Sequence, residues 1–444
     1  MNYNISYPFY LSSRRQPSDA AVVFGHHRLS YGALRISVQR LASSLSNRLT
    51  RRRVGILASR SIHACVGVLA TAWAGGHYVA INLRTPPEEL QRLLEFLQLD
   101  ALIVDAAGVK LLTPDVLTAA PYAVYAPGAG PAAFLSYRNN RPIPDTVVLR
   151  EPQQCGPGDL ACMHLSTAPN AGPEGGYRAA MVPNGALFAY LDAIDGWYDL
   201  SPNDRAAETA DLTSMLSVHN MLTTWKAGAA LHIMQLLEML APGTFVQRHG
   251  ITTWLSAPSV ITGGPLGGPP PGGMPTLRLS LFCGAALSSK AAEIWRRATP
   301  NSLIETLHGP PEAPVACFRR SHEDGAAAAP GLSAALGQVF PGMQAEIFDD
   351  DLSPLPDGWS GQIALTGRQL ATAYFQEPAL TAQCFPIIGS QRWYLSGHRG
   401  YRDADGTVHH LGPMDMPDVD ALRRLSENAS ARGEAAADTA AMSG

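Results

Sequence analysis

Charge is scarce in this sequence. Only 16% of its 444 residues are Asp, Glu, Lys or Arg, and the formal net charge is -4. So small a surplus, negative in sign, excludes general attraction to nucleic acid or to an anionic membrane surface. The basic clusters Arg51-Arg52-Arg53 and Arg296-Arg297 read as solvated helix ends or loops. No run of eighteen apolar residues occurs, and the opening "MNYNISYPFYLSSRR" lacks a basic segment followed by an apolar one. Neither a membrane span nor a signal peptide is expected, so the sequence reads as cytoplasmic. Six cysteines, Cys65, Cys155, Cys162, Cys283, Cys317 and Cys384, include no C-x-x-C pair. That spacing excludes a zinc knuckle and a disulfide framework, and reduced, buried thiols are expected.

Apolar residues supply 46% of the chain, enough for a large core. At this length two or three subdomains sharing an interface are expected. The first third alternates helix and strand. Leu34, Val38, Leu41, Leu45 and Leu49 recur at spacings of three and four, which predicts an amphipathic helix with Ser30 as its cap. "RVGILAS" reads as a buried strand, "SIHACVGVLATAW" as an apolar helix closed by Gly75-Gly76, "YVAIN" as a strand, "PPEELQRLLEFL" as a helix and "ALIVD" as a strand. That order predicts a parallel sheet covered by helices. Residues 111–158 read as connecting strands and loops, a long helix follows Asn184, and the Gly/Pro tract 263–275 is expected to be a surface loop. From Gly331 the pattern shifts to short strands, "QAEIFDD", "GQIALTG", "RWYLSGH" and "TVHHLG". The organisation expected is an α/β core over 1–330, a β-rich subdomain over 331–415 and a polar, disordered tail over 416–444.

Five phrases in register then carry a resemblance. "LSYGALRISVQRLASSL", "VGVLATAWAGGHYVAINLRTPPEELQRLL", "GPPEAPVA", "ATAYFQEPALTAQCF" and "YLSGHRGYRDADGTVHHLG" look like successive signature segments of the adenylate-forming superfamily. Within it, the sequence resembles the adenylation domains of nonribosomal peptide synthetases and their acyl-CoA ligase relatives, from about residue 20 to Asp415. The resemblance implies the large N-terminal domain of that family: two helix-covered sheets plus a small β-subdomain. It also implies an activity, joining a carboxylic acid to AMP with release of pyrophosphate, then passing the acyl group to a carrier thiol. ATP and magnesium are the implied cofactors, and a carrier protein or another biosynthetic enzyme the implied partner.

Carried over by position, the nucleotide site would comprise Ser166, Thr167 and Gly172 in the phosphate loop, then Gly284, His308, Glu312 and His398, with Glu312 as magnesium ligand. Several of these depart from the family pattern. The loop "STAPNAGPE" has Pro169 among its small residues and Glu174 where the family has lysine. Proline removes an amide donor, and a carboxylate repels phosphate. Arg178 is the nearest substitute cation. Pro311 replaces a threonine that faces the α-phosphate, His398 replaces the aspartate that clamps the ribose, and Pro413 replaces an arginine near the hinge residue Asp415. A neutral imidazole accepts one hydrogen bond where a carboxylate accepts several. No lysine follows Lys290 and about thirty residues follow Asp415, so the family's C-terminal lid domain and its catalytic lysine are expected to be missing.

The acyl pocket by the same positions would be lined by Met215, Leu216, His219, Leu281, Cys283, Leu307, Val315 and Ala316. Met215 stands where the family aspartate pairs with an α-ammonium group, so a standard amino acid is disfavoured. The lining suits an apolar or aryl acid, and equally a collapsed core. Three readings stay open. The chain is a degenerate adenylation scaffold kept for binding or docking; or it activates a non-amino acid with a lid supplied in trans; or the cleft histidines His219, His308 and His398 serve a repurposed, ATP-independent chemistry or bind a metal.

Overall fold

The computed structural model describes residues 1–167, 177–262, 269–322 and 334–414. Its local elements follow the apolar periodicity. In the helix Tyr31–Ser46, Leu34, Val38, Leu41 and Leu45 are buried, and the Ser30 hydroxyl accepts the amide of Ala33 at 3.2 Å. The helix Ile62–Trp73 is buried on nearly every side and is capped by Ser61. Its indole at Trp73 donates to the carbonyl of Leu149 at 3.1 Å, so the one polar atom of the largest side chain is satisfied. The helix Pro87–Leu97 opens with proline and two glutamates, which suit the positive helix end, and buries Leu90, Leu93, Leu94 and Leu97.

These helices cover a nine-stranded sheet. At its centre Leu160–Thr167, His77–Ala80, Arg53–Leu57, Ala101–Val104 and Ala123–Pro127 run parallel, in that order. The expected all-parallel sheet needs correction at its margins. Tyr177–Pro183 and Ala373–Tyr374 on one side, and Phe134–Ser136 and Arg141–Pro142 on the other, are antiparallel. For Tyr177–Pro183, Phe134–Ser136 and Arg141–Pro142 the reason is connection length, since so short a return from the preceding strand cannot cross over the sheet as a helix does, whereas Ala373–Tyr374 arrives from the C-terminal part of the chain. Residues 111–158, read as strands and loops, also hold the short helix Pro114–Ala119.

A second sheet has thirteen strands. Its parallel block runs Leu303–His308, Leu279–Phe282, Thr253–Ser256, Arg205–Glu208, Ala230–Ile233, Ala20–Phe24, closed by antiparallel His27–Ser30. On the other flank the strand-rich C-terminal part continues the same sheet antiparallel, through Phe318–Ser321 and Ala334–Val339 to Val408–Pro413, Tyr394–Arg402, Gly361–Gly367 and Met343–Phe348. The four strands expected there all form. The tail 416–444 lies outside the described residues, as does 263–268 of the Gly/Pro tract. All six cysteines are free thiols, five buried and Cys384 partly so. No helix among the described residues is long and apolar enough to cross a membrane.

Candidate functional site

The phosphate-loop positions sit at the tip of an antiparallel pair. Ser166 lies opposite Arg178 and Thr167 opposite Tyr177; Gly172, Pro169 and Glu174 lie outside the described residues. Arg178 thus stands at the base of the loop. Its charge is felt at the Cys384 thiol, where it opposes the upward pull of burial and of Glu312. Arg178 and Glu312 therefore share one neighbourhood.

Glu312 belongs to the loop that follows the strand Leu303–His308. The loop doubles back tightly: a Cβ on Gly309 would stand 2.6 Å from the Cα of Ala316, so only glycine fits. Val315 takes φ +67°, costly for a β-branched residue, and is held there by neighbours on both sides. The Cys317 amide bonds the His308 carbonyl, and Gln369 donates to the Ala316 carbonyl at 2.9 Å. This fold-back turns the Glu312 carboxylate inward, where it is buried. The Tyr374 hydroxyl donates to its Oε1 at 2.6 Å, and the Tyr394 phenol lies close enough to feel its charge. Burial first, then the carboxylate, push both phenols far above their ordinary pKa, so both remain donors at any physiological pH.

Three histidines gather beside it, though not the three expected. His398 on Tyr394–Arg402 and His410 on Val408–Pro413 face each other across neighbouring strands, Nδ1 to Nε2 at 2.8 Å. The His308 ring lies 5.9 Å from that of His410, centre to centre. Desolvation lowers all three pKa values; His410 and His398 lower His308 further, His398 lowers His410, and Glu312 partly offsets the effect at His398. The rings are neutral at pH 7. His219 is elsewhere: it is buried in the helix Met215–Ala227, shares a 2.6 Å hydrogen bond with the Tyr190 hydroxyl, and is pushed down to about 3 by burial. The structure therefore separates His219 from His308 and His398 and supplies His410 instead.

The acyl-pocket positions form one packed body. Leu281, Cys283, Leu307, Val315 and Ala316 are buried in a single apolar cluster, with Met215 and Leu216 half-buried against it. The cavity that touches His219 and Leu281 is only about 10 Å³, room for one water. Gly284, just after the strand Leu279–Phe282, has φ +91° and open space around it.

One functional group was not singled out from the sequence. Glu208, at the carboxyl end of Arg205–Glu208, is fully enclosed, and burial raises its pKa to about 8 against the opposing bonds from Asn220, Ala210 and Ser217. It anchors the start of the helix that carries Met215 and His219. The run "RAAETADLTS" offered no signal beyond a glutamate at a strand end.

A model of the AMP-binding enzyme family matches residues 9–375, most of the chain. The chain belongs to that family. Among relatives, chondramide synthase cmdD of Chondromyces crocatus is 28% identical over 93% of this chain, and tyrocidine synthase 1 of Brevibacillus parabrevis 23% over 90%. The chain spans 10% and 35% of their lengths. The crystal structure of IdnL7 superposes with a TM-score of 0.81 at 29% identity, covering 94% of this chain and 82% of that one. The Vibrio cholerae adenylation domain AlmE, solved in complex with glycyl-adenosine-5'-phosphate, superposes at 0.79 and 24% identity, covering 94% and 80%. The fold is accordingly that of the large domain of adenylation enzymes.

Magnesium and ATP are the family's implied groups, and the donor set here fits them poorly. Glu312 accepts from the Tyr374 phenol, His398 is bonded to His410, and no three His, Cys, Asp or Glu side chains among the described residues are arranged to hold a metal.

Proposed function

We propose that this is an adenylation-domain-like protein of nonribosomal peptide or related secondary-metabolite biosynthesis, impaired in ATP-dependent carboxylate activation and retained as a binding or docking component. The observation that carries this reading is the covered carboxylate: Glu312 is buried, and the Tyr374 hydroxyl donates to it. A divalent ion would have to displace that phenol donor before coordinating it. The His398–His410 pair supports the same reading, because ribose hydroxyls need an acceptor with charge and find two neutral rings already bonded to each other. A carrier protein or a neighbouring biosynthetic enzyme is the partner class this role requires. Titration calorimetry with Mg-ATP, run beside pyrophosphate exchange over a broad acid panel, tests it. Neither binding nor exchange is expected; micromolar ATP affinity or clear exchange defeats the reading.

A second reading draws on the apolar lining at Leu216, Leu281, Leu307 and Val315. On it, the chain activates an apolar or aryl acid with a lid and lysine from another polypeptide. An acyl-AMP detected by mass spectrometry on adding that polypeptide supports it, and its absence removes it. A third reading, repurposed chemistry on cleft histidines, would rest on His308, His398 and His410 rather than His219. Substitution of His398 by Ala, with metal content measured, tests that reading.

A further inference from the structure

The parallel strands of the second sheet open at both ends. At their carboxyl ends, Phe24, Thr209 and Met234 line a crevice of about 630 Å³. At their amino ends lies a separate cavity of about 530 Å³, bordered by Asp19 before one strand and Ala20 at its start, by Arg205 at the start of the second and by Ala230 at the start of the third. The two openings share no residue.

The amino-end cavity is crowded with cations. Arg28, Arg205 and Arg248 line it with the neutral imidazoles of His232 and His249, against Asp19 and Asp204. Asp204 is already committed: Arg278 grips both its oxygens at 2.7 and 2.8 Å, and Thr252 and Ser201 add hydrogen bonds. Arg248 pairs with Glu238 through one nitrogen at 3.1 Å. Arg205 gives one N–H to the His249 carbonyl at 3.3 Å, which caps the helix Pro242–His249 and leaves its other donors unassigned. Arg28 is exposed and in no ion pair among the described residues. Helix capping, the ordinary use of cations at such a place, therefore accounts for one guanidinium N–H out of three side chains. His232 is nine-tenths buried at the cavity wall, and its Nδ1 has no partner among the described residues.

We propose that this cavity is a binding site for a small oxyanion of the phosphate class, distinct from the nucleotide cleft. Guanidinium forks match the oxygens of such an anion, and the volume admits inorganic phosphate, pyrophosphate or a small phosphate monoester. The local field agrees with the geometry: burial first, then His249, Arg205 and Arg28, push the His232 pKa down to about 3. An anion reverses that field, and by linkage its binding raises the His232 pKa. Asp19 is the one uncommitted carboxylate at the wall and opposes the anion.

Calorimetry at low ionic strength with inorganic phosphate, pyrophosphate and glycerol phosphate tests the site, together with histidine NMR. Saturable binding is expected, weakened about tenfold by Arg28→Ala and by Arg205→Ala, each of which removes charge-assisted donors. Arg28 is exposed, so its variant folds even if loss of the Arg205 cap disturbs the helix. Asp19→Asn tightens binding, His232 titrates at higher pH with phosphate present, and His398→Ala in the cleft leaves affinity unchanged. The best-bound of the three probes distinguishes free anion from ester. No saturation up to about 10 mM, weaker binding in Asp19→Asn, or loss with His398→Ala but not with the arginine variants overturns the site. These outcomes are independent of whether the cleft binds Mg-ATP.

Discussion

The four-residue strand Arg205–Glu208 joins two ends of the molecule that treat charge in opposite ways. At its amino end Arg205 shares a solvent-open cavity with Arg28 and Arg248. At its carboxyl end the polar groups are kept uncharged or capped: Glu208 is held protonated by burial, Glu312 is covered by a phenol, and His308, His398 and His410 are neutral. In an enzyme that handles a triphosphate, cations belong at the carboxyl end of parallel strands, where ligands bind in open α/β sheets. Here Arg28, Arg205 and Arg248 gather at the other end, while the crevice at the carboxyl end holds Arg60, which donates to the Thr209 carbonyl, and Arg84.

The largest test of that contrast is pH. The Glu208 carboxyl is raised from 4.5 to about 8 in the folded state, so its contribution is fully present below pH 4.5 and is lost as pH climbs through 8. Above pH 6.5, where the lowered histidines no longer titrate, denaturant melts up to pH 9 should show about 2 kcal/mol of declining stability, and Glu208→Gln should flatten the decline. His219 and His232 act in the other direction: with folded pKa near 3, their contribution is present above pH 6.5 and fades as the protein is acidified. A flat profile across both limbs would erase the difference between the two ends.

Next comes Arg278→Ala, which strands the Asp204 carboxylate. Burial alone would raise the Asp204 pKa, yet bonds from Arg278, Thr252 and Ser201 hold it below 3.8. Chemical denaturation should register about 2 kcal/mol lost, discounted because the Arg278 side chain is 40% exposed. Smaller still, Tyr374→Phe should cost about 1 kcal/mol, the net worth of one hydrogen bond to Glu312. That variant should also fail to gain Mg-ATP affinity in calorimetry, because the imidazole pair at the ribose position is untouched; a gain would show that the phenol alone closed the site. Last, Ser61→Ala, which removes the cap of Ile62–Trp73, should lower stability by about 1 kcal/mol and leave phosphate binding unchanged.

Much of the scaffold could be read directly. Leu34, Val38, Leu41 and Leu45 are where helical periodicity puts them, and the Ser30 and Ser61 caps follow from local hydrogen bonding. The sheet margins could not, because a strand's direction depends on which neighbour it meets. The site was legible only in part. His398 was identified at the ribose position, but its partner His410, twelve residues on, becomes visible only when the intervening Asp-Gly turn folds the two strands into register. Tyr374 over Glu312 bridges sixty-two residues, with no local pattern to announce it.

By itself the sequence determined which stretches are helix and strand and which family they compose, because those facts are local or positional. Only the tertiary structure decided which distant residues meet: that Glu312 is buried against Tyr374, that His410 bonds His398 while His219 bonds Tyr190, and that three distant arginines share one opening. Burial and through-space charge depend on neighbours brought together by packing, and chain order does not encode that distance.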